Sequence, residues 1–243
     1  MGEFPRIEPL GEGALLVRFG DRLDAAVNAE AVAFRAWVAE AGPAGVAEAA
    51  SSLGSVLAVL ADGADADAVE AGLRAGLAEG AWRGRPVAGR RRWAIPCAYG
   101  GADGPELTEA AAMAGLSEAD AVAALAGAEV AVLALGFAPG MPYLGILPDR
   151  WDLPRRTSLT ARVPEGALVV AVRQMVLFGT EAPTGWRRVG RTAFGCFRPG
   201  RDRPVALAPG DVVTFPAVDA ATLDRLRRDD PEAMGGATWE PLP

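Results

Sequence analysis

The sequence contains no histidine, and all 24 of its basic residues are arginine. Within this chain that excludes histidine-based triads, histidine metal ligands, Schiff-base lysines and a phosphate-loop lysine. Any chemistry must draw on carboxylates, hydroxyls, arginines, amides, backbone groups or another subunit. The missing lysine, in a chain so rich in alanine and glycine, reads as genome composition rather than mechanism. Cysteine is scarce: Cys97 and Cys196 cannot build a disulfide framework or a cysteine zinc site by themselves, so both are expected as buried reduced thiols and no metal site is expected. Long apolar runs are missing, and Met1-Gly2-Glu3-Phe4-Pro5 lacks the basic-then-apolar layout of a signal peptide, so the expected location is the cytoplasm. A net charge of −7 argues against nucleic acid and anionic membrane surfaces as partners, leaving small molecules or proteins.

What is present is apolar material in quantity. With 243 residues, 51% of them hydrophobic, the chain can bury one large core or two small ones. Ala14–Phe19 reads as a strand, and Asp24–Glu40 as a helix with Val27, Ala31, Phe34 and Val38 on one face. Gly45–Ala50 and Ser55–Leu60 read as strands, and Asp65–Glu79 as a helix with Ala68, Leu73 and Leu77 inward. Arg92–Pro96 is expected as a closing strand. The order β-α-β-β-α-β is that of a ferredoxin-like unit. Gly80–Arg91 is the expected hinge, placing domains at 1–90 and 91–243. The run Arg90-Arg91-Arg92 reads as a solvated charged edge rather than a phosphate grip.

After the hinge, Gly104-Pro105-Glu106 opens a helix to about Ala114, and Ser117 begins another with a capping-box-like pattern. Between Leu153 and Phe215, glycine and proline punctuate short apolar runs: Ala167–Val172, Met175–Phe178 and Val212–Phe215. That is the pattern of an all-β barrel or sandwich. Ala220–Arg228 is expected as a short helix and Gly235–Pro243 as a loose end.

The stretch Gly136-Phe137-Ala138-Pro139-Gly140-Met141-Pro142-Tyr143-Leu144-Gly145 follows the strand-length run Val130–Leu135. Three glycines and two prolines predict an irregular loop held at the end of a buried strand, a common setting for binding. Phe137 and Tyr143 either anchor a ligand there or plug the core, and composition is even-handed between the two. Three further segments, around Pro154-Arg155-Arg156, Val163–Gly166 and Ala182–Trp186, can gather with this loop at one rim. Nearby lie Arg155, Arg156, Arg162, Arg173, Gln174 and Arg191, able to hold carboxylate or phosphate oxygens; any one of them is equally readable as a surface arginine on a turn.

The run Gly136–Gly145, then Pro154-Arg155, Val163-Pro164, Gly166, Gln174, Pro183, Gly185-Trp186, Gly190-Arg191-Thr192 and Pro209–Phe215, resembles the B subunit of prokaryotic ATP-dependent 5-oxoprolinase. The same family carries the names allophanate hydrolase subunit 1 and carboxyltransferase domain subdomains C and D, and includes the sporulation kinase inhibitor KipI. Ile95–Gly101 and Gly104–Leu107 add to the resemblance, which spans nearly the whole chain.

The resemblance implies an α+β protein, a ferredoxin-like N-terminal domain followed by a cyclophilin-like β-barrel. It implies a cytoplasmic protein that acts with a homologous C subunit (carboxyltransferase subdomains A and B) and a LamB/YcsF-type A subunit, opening 5-oxoproline to glutamate with ATP bound by the complex. The substrate-binding residues it points to are Phe137, Gly140, Tyr143, Arg155, Gln174, Trp186 and Arg191. The alternatives are a KipI-like regulator of a histidine kinase and a non-catalytic paralogue that binds a small acid or amide. The chain departs from the family at Leu125, where a histidine is usual, and at Leu159-Thr160, where a second Pro-Arg is usual. It departs again at Met175–Gly179 and in Ala182-Pro183-Thr184. Backbone-shaping residues are kept and polar pocket-type residues are lost. Arg162, two residues beyond Thr160, is a candidate stand-in for the missing arginine, although that step moves a side chain about 7 Å along a strand.

Overall fold

Alternation of buried and exposed positions sets the first part of the chain. In β1 (Arg6–Pro9), β2 (Ala14–Arg18), β3 (Val46–Ser52) and β4 (Ser55–Leu60), the antiparallel order is β1-β2-β4-β3. Leu15, Val17, Val56 and Ala58 point to one face, where they meet α1 (Ala25–Ala41) and α2 (Ala66–Glu79) through Ala31, Phe34, Trp37, Val38, Val69 and Leu73. Asp24 caps α1 by accepting from the N–H groups of Ala26 and Val27, and Asp65 caps α2 in the same way, satisfying donors a helix start leaves open. Gly76 sits mid-helix because Trp37 occupies the space a β-carbon would need. The inward face of α2 is Val69, Leu73 and Gly76; Ala68 is exposed, one position out of the expected register.

The computed structural model describes residues 4–80, 82–84 and 87–242. The start Met1–Glu3, the last residue and part of the predicted hinge Gly80–Arg91 lie outside the described residues. The chain forms two compact units, one ending at Ala88 and the other running from Gly89 to Leu242.

The second unit contains β5 (Arg91–Ala94), β6 (Cys97–Tyr99), α3 (Leu107–Met113), α4 (Glu118–Ala126), β7 (Val130–Leu135), β8 (Pro142–Gly145), β9 (Thr160–Val163), β10 (Ala167–Ala171), β11 (Gln174–Leu177), β12 (Ala182–Thr184), β13 (Arg187–Thr192), β14 (Val212–Thr214), β15 (Ala217–Val218), α5 (Ala220–Arg228) and β16 (Thr238–Pro241). Its ladder runs β16-β5-β14-β7-β8-β11-β10-β13-β6-β15, with β9 and β12 as a separate pair. Most neighbours are antiparallel; β5–β14 and β6–β15 are parallel. The architecture is α+β. The named pairs do not by themselves form the expected closed barrel; Pro96 and Pro216, which lack the N–H a ladder needs, separate β5 from β6 and β14 from β15.

Three expectations change. The strand at Arg91–Ala94 does not complete the N-terminal sheet; it pairs with β14 and β16, and the edge beside β2 is filled by β1. The tail is not loose, since β16 pairs antiparallel with β5 and Trp239 lies against Trp93. The predicted long loop ends early: Pro142–Gly145 is a strand between β7 and β11. Pro142 is tolerated there because it takes the first position of the strand.

The junction of β5 and β14 is held by a buried carboxylate. Asp211 is fully buried and accepts from Arg91 N–H (2.8 Å), the Arg91 guanidinium (3.0 Å), Trp93 Nε1–H (3.1 Å) and Ala208 N–H (3.0 Å). The Arg90–Arg92 run is therefore not a uniformly solvated edge. Arg91 is nearly buried, and Arg92 bridges Glu129 and Glu240 at the surface.

Candidate functional site

The strands β10 and β11 bury both faces. Leu168, Val170, Met175 and Leu177 join the main core with Trp93, Ile95, Leu125 and Phe215. The alternate residues, Val169, Ala171, Val176 and Phe178, pack on the opposite face with Met141, Val163, Ala182 and Trp186. That second layer is thinner, and it contains a cavity of about 280 Å³ lined by Phe137, Met141, Tyr143, Arg155, Arg156, Leu159, Val176, Phe178, Pro183, Thr184, Gly185 and Trp186. The volume lies just below the about 300–1,000 Å³ of ordinary small-molecule pockets, which suits a compact ligand.

The loop that brings Phe137 to the rim is a closed turn. Gly136 N–H donates to Met141 C=O, and Met141 N–H to Ala138 C=O. Phe137 takes φ +69° and is 73% exposed, an uncommon conformation for an aromatic residue and an uncommon place for its ring. Gly140 also takes a positive φ, and a β-carbon there would sit 2.5 Å from the carbonyl oxygen of Cys196; glycine is what lets the turn dock on that strand connection.

The floor is aromatic. Tyr143 and Trp186 meet edge to face with centroids 6.4 Å apart, and the Arg155 guanidinium lies 5.4 Å from the Trp186 ring centre. The backbone on either side of Arg155 is fixed. Pro154 C=O accepts from the buried Arg187 (2.6 Å), which also pairs with Glu109 (2.9 Å). Arg156 N–H donates to Gly185 C=O (2.7 Å), and its guanidinium bonds Glu106 (3.0 Å), whose other oxygen accepts from Arg188 N–H. Between those anchors, Arg155 makes no ion pair among the described residues. A cation held over an indole with its donors unspent is suited to a carboxylate or phosphate oxygen. The lining also carries the Tyr143 and Thr184 hydroxyls but no carboxylate, so these residues can bind and polarise a ligand without supplying a general base.

Of the seven residues expected at the site, the structure brings Phe137, Tyr143, Arg155 and Trp186 together around this cavity. Gly140 shapes the loop behind it. Gln174 is buried at the start of β11, opposite Gly145 on one side and Ala171 on the other. Arg191 lies five positions beyond Trp186 along β13, roughly 17 Å of extended chain, and lines a different cavity. Arg162 is committed to Glu181 at 2.6 and 2.8 Å and does not line the site. Leu125 is fully buried in the main core. The lining residues that the sequence did not single out are apolar, chiefly Met141, Val176 and Phe178; Met141 lies in an irregular glycine- and proline-rich stretch and the other two in a run apolar at every position, and neither setting carries a period-two facing signal.

The two cysteines are free and buried, and burial pushes both thiols up, out of the range of a nucleophile. Among the described residues no group of three or more histidine, cysteine, aspartate or glutamate side chains is placed to hold a metal ion, and no helix is long and apolar enough to cross a membrane.

The chain is similar to the 5-oxoprolinase B subunit of Bacillus subtilis, 32% identical over 86% of this chain and 91% of that protein. It is 43% identical over 121 residues to the 5-oxoprolinase B subunit of Escherichia coli O157:H7, a match that spans half of this chain and 56% of that relative's length. The fold recurs in the Kluyveromyces lactis urea amidolyase with a TM-score of 0.74 and 19% identity, over 96% of this chain and 16% of that one. Residues 5–207 match the family described as carboxyltransferase domain, subdomain C and D. A match of that extent, along strands whose packing forms the cavity, places this chain in the carboxyltransferase subdomain C and D family.

Proposed function

We propose that this chain is the B subunit of a 5-oxoprolinase-type complex and that its cavity takes the substrate. The observation that carries the proposal is the near end-to-end similarity to a protein named as a 5-oxoprolinase B subunit. The cavity supports it: a five-membered lactam bearing one carboxylate presents a flat apolar ring for Trp186 and an anion for Arg155. Tyr143 and Thr184 are the neutral hydrogen-bonding groups available to the lactam amide.

In this reading ATP is bound by the complex, with a homologous C subunit and a LamB/YcsF-type A subunit as partners. 5-Oxoproline, ATP and water give glutamate, ADP and phosphate. Two waters are consumed. Phosphoryl transfer to the amide oxygen activates the carbonyl carbon; the first water adds there and the ring C–N bond breaks, with nitrogen leaving as the amine. The second water hydrolyses the resulting acyl phosphate to glutamate and phosphate, with guanidinium groups steadying the developing charge. Since the lining contains no carboxylate, this reading assigns the main proton-transfer groups to the partner proteins.

We also read the second unit as a cyclophilin-like barrel and the first as ferredoxin-like. Ile95 N–H donates to Thr214 C=O and Cys97 N–H to Pro216 C=O. These bonds continue the parallel pairing of β5–β14 into β6–β15 across both prolines and support a ladder that returns on itself. The two helices on one face of β2-β4-β3 support the ferredoxin-like reading.

The test is to combine the chain with its C-type and A-type partners and measure glutamate formed from 5-oxoproline with and without ATP. ATP-dependent turnover that disappears when this chain is left out, and a substrate KM raised about tenfold or more by Arg155→Met, is the expected result. A stable complex that turns over 5-oxoproline equally well without this chain would overturn the reading.

A further inference from the structure

A second cavity in the same unit, of about 270 Å³, is lined by Glu165, Gly166, Arg191, Thr192, Ala193, Phe194, Gly195, Arg227 and Ala233. It gathers three separate pieces of chain: the turn before β10, the end of β13 with the residues after it, and the last turn of α5 with the segment that follows it. Two of its lining residues are arginines, and among the described residues neither has an ion-pair partner within 4.0 Å. The Nε of Arg191 is buried without a hydrogen-bond partner. A buried N–H left unmatched is costly, and an oxyanion in the cavity is one group able to match it.

The surrounding charges point the same way. Burial, then the nearby Arg227, lower the proton affinity of Arg191, with Arg188 adding to the effect; Asp103 and Asp224 act in the opposite direction from farther than ion-pair distance. Two like charges are thus held near one another with only distant compensation. The Thr192 hydroxyl, almost fully buried, accepts from Phe194 N–H and keeps its own proton to donate. The one acid in the lining, Glu165, is exposed.

We propose that this cavity is a second ligand site, separate from the pocket at Trp186, and that it takes a small oxyanion of phosphate type held by Arg191 and Arg227. Two guanidinium groups converging on one space match a doubly charged tetrahedral oxyanion better than a monocarboxylate, and planar forks bind such groups through paired N–H donors. The inference does not depend on the identity of the substrate at the first pocket.

The test is calorimetric titration of the intact chain with inorganic phosphate at fixed ionic strength, with malonate as a second arm to separate a phosphate from a dicarboxylate site. Saturable one-site binding of phosphate is expected. Arg191→Met should weaken it about tenfold or more, and Arg227→Met, on an exposed helix position that folding tolerates, several-fold. Glu165→Gln should tighten binding, since it removes the acid in the cavity's lining. The proposal is overturned by failure of the wild-type chain to bind phosphate saturably, by Arg227→Met binding as well as wild type, or by malonate binding more tightly than phosphate. Circular dichroism on each variant identifies any that fail to fold, in which case the Arg227 and Glu165 variants carry the test.

Discussion

Two polar clusters of the second unit treat their arginines in opposite ways. At the β5–β14 junction, Asp211 is fully buried and every hydrogen-bond partner of its carboxylate is a donor: two from Arg91, one from Trp93 and one from Ala208. At the cavity, the neighbours of Arg155 are hydrogen-bonded in place while Arg155 rests on Trp186 with no ion-pair partner among the described residues. The first arrangement holds the fold, because unmatched charge in that position would be costly. The second arrangement spends its hydrogen bonds on aiming one guanidinium and leaves that guanidinium free, which is what a site must do before its ligand arrives.

The largest expected effect comes from breaking the saturated cluster. Asp211→Ala strands Arg91, the Trp93 N–H and the Ala208 N–H together, and should cost about 3–5 kcal/mol. Urea denaturation of the second unit checks this; a loss under about 1 kcal/mol would show that water replaces the carboxylate and that the contrast between the clusters is superficial. Next is Gly140→Ala. The added methyl meets the Cys196 carbonyl oxygen at 2.5 Å while the backbone stays at a positive φ, so about 2 kcal/mol should be lost. The cavity rim should shift with it, read as weaker ligand binding out of proportion to the change in stability.

The helices were legible because their signals are local. Asp24, Asp65, Ser117 and Asp219 each cap the helix that follows, and a cap with a periodic apolar face can be read from a dozen residues. The strands at the cavity were less so. Arg187–Thr192 is not among the runs read as strands, yet it pairs with β10 and β6, while Glu106 and Glu109, about eighty positions earlier, take up the Arg188 N–H and Arg187. The site was legible to the same depth. Sequence order names the loops that carry Phe137, Tyr143, Arg155 and Trp186, but whether a residue faces the cavity depends on strand register. Gln174 lies on β11 two positions before the lining residue Val176 yet does not line the cavity, Arg191 on β13 lines a different one, and Leu125, where the resemblance leads one to expect a histidine, is plain core.

A smaller effect separates buried groups from accessible ones by pH. Burial raises both thiols, so above the ordinary thiol value of about 8.5 the unfolded chain releases protons that the folded chain keeps. Stability is therefore full below that pH and falls as pH rises, by up to about 1.4 kcal/mol per pH unit for each cysteine. Tyr99, raised by the same cause, adds to the fall at still higher pH. Denaturation midpoints at pH 8, 9 and 10 should decline, and Cys97→Ala with Cys196→Ala should flatten the decline. An unchanged slope would assign the alkaline loss to other groups.

The smallest expected change in stability is the most telling for the comparison. Arg155→Met removes a cation from the face of Trp186 but strands no ion-pair partner among the described residues. Only the cation–π contact is lost, about 0.5–1 kcal/mol at an exposed position, and the methionine side chain still covers the ring. If Arg155 is a poised ligand group, binding should fall about tenfold or more while the denaturation midpoint barely moves. Arg156→Met should do the reverse, because that guanidinium closes the contact to Glu106 that ties the rim to β13. Equal stability losses in the two variants would mean that the pair acts as one structural brace. A binding loss in Arg155→Met alone would locate ligand recognition in the arginine that the fold leaves unpaired.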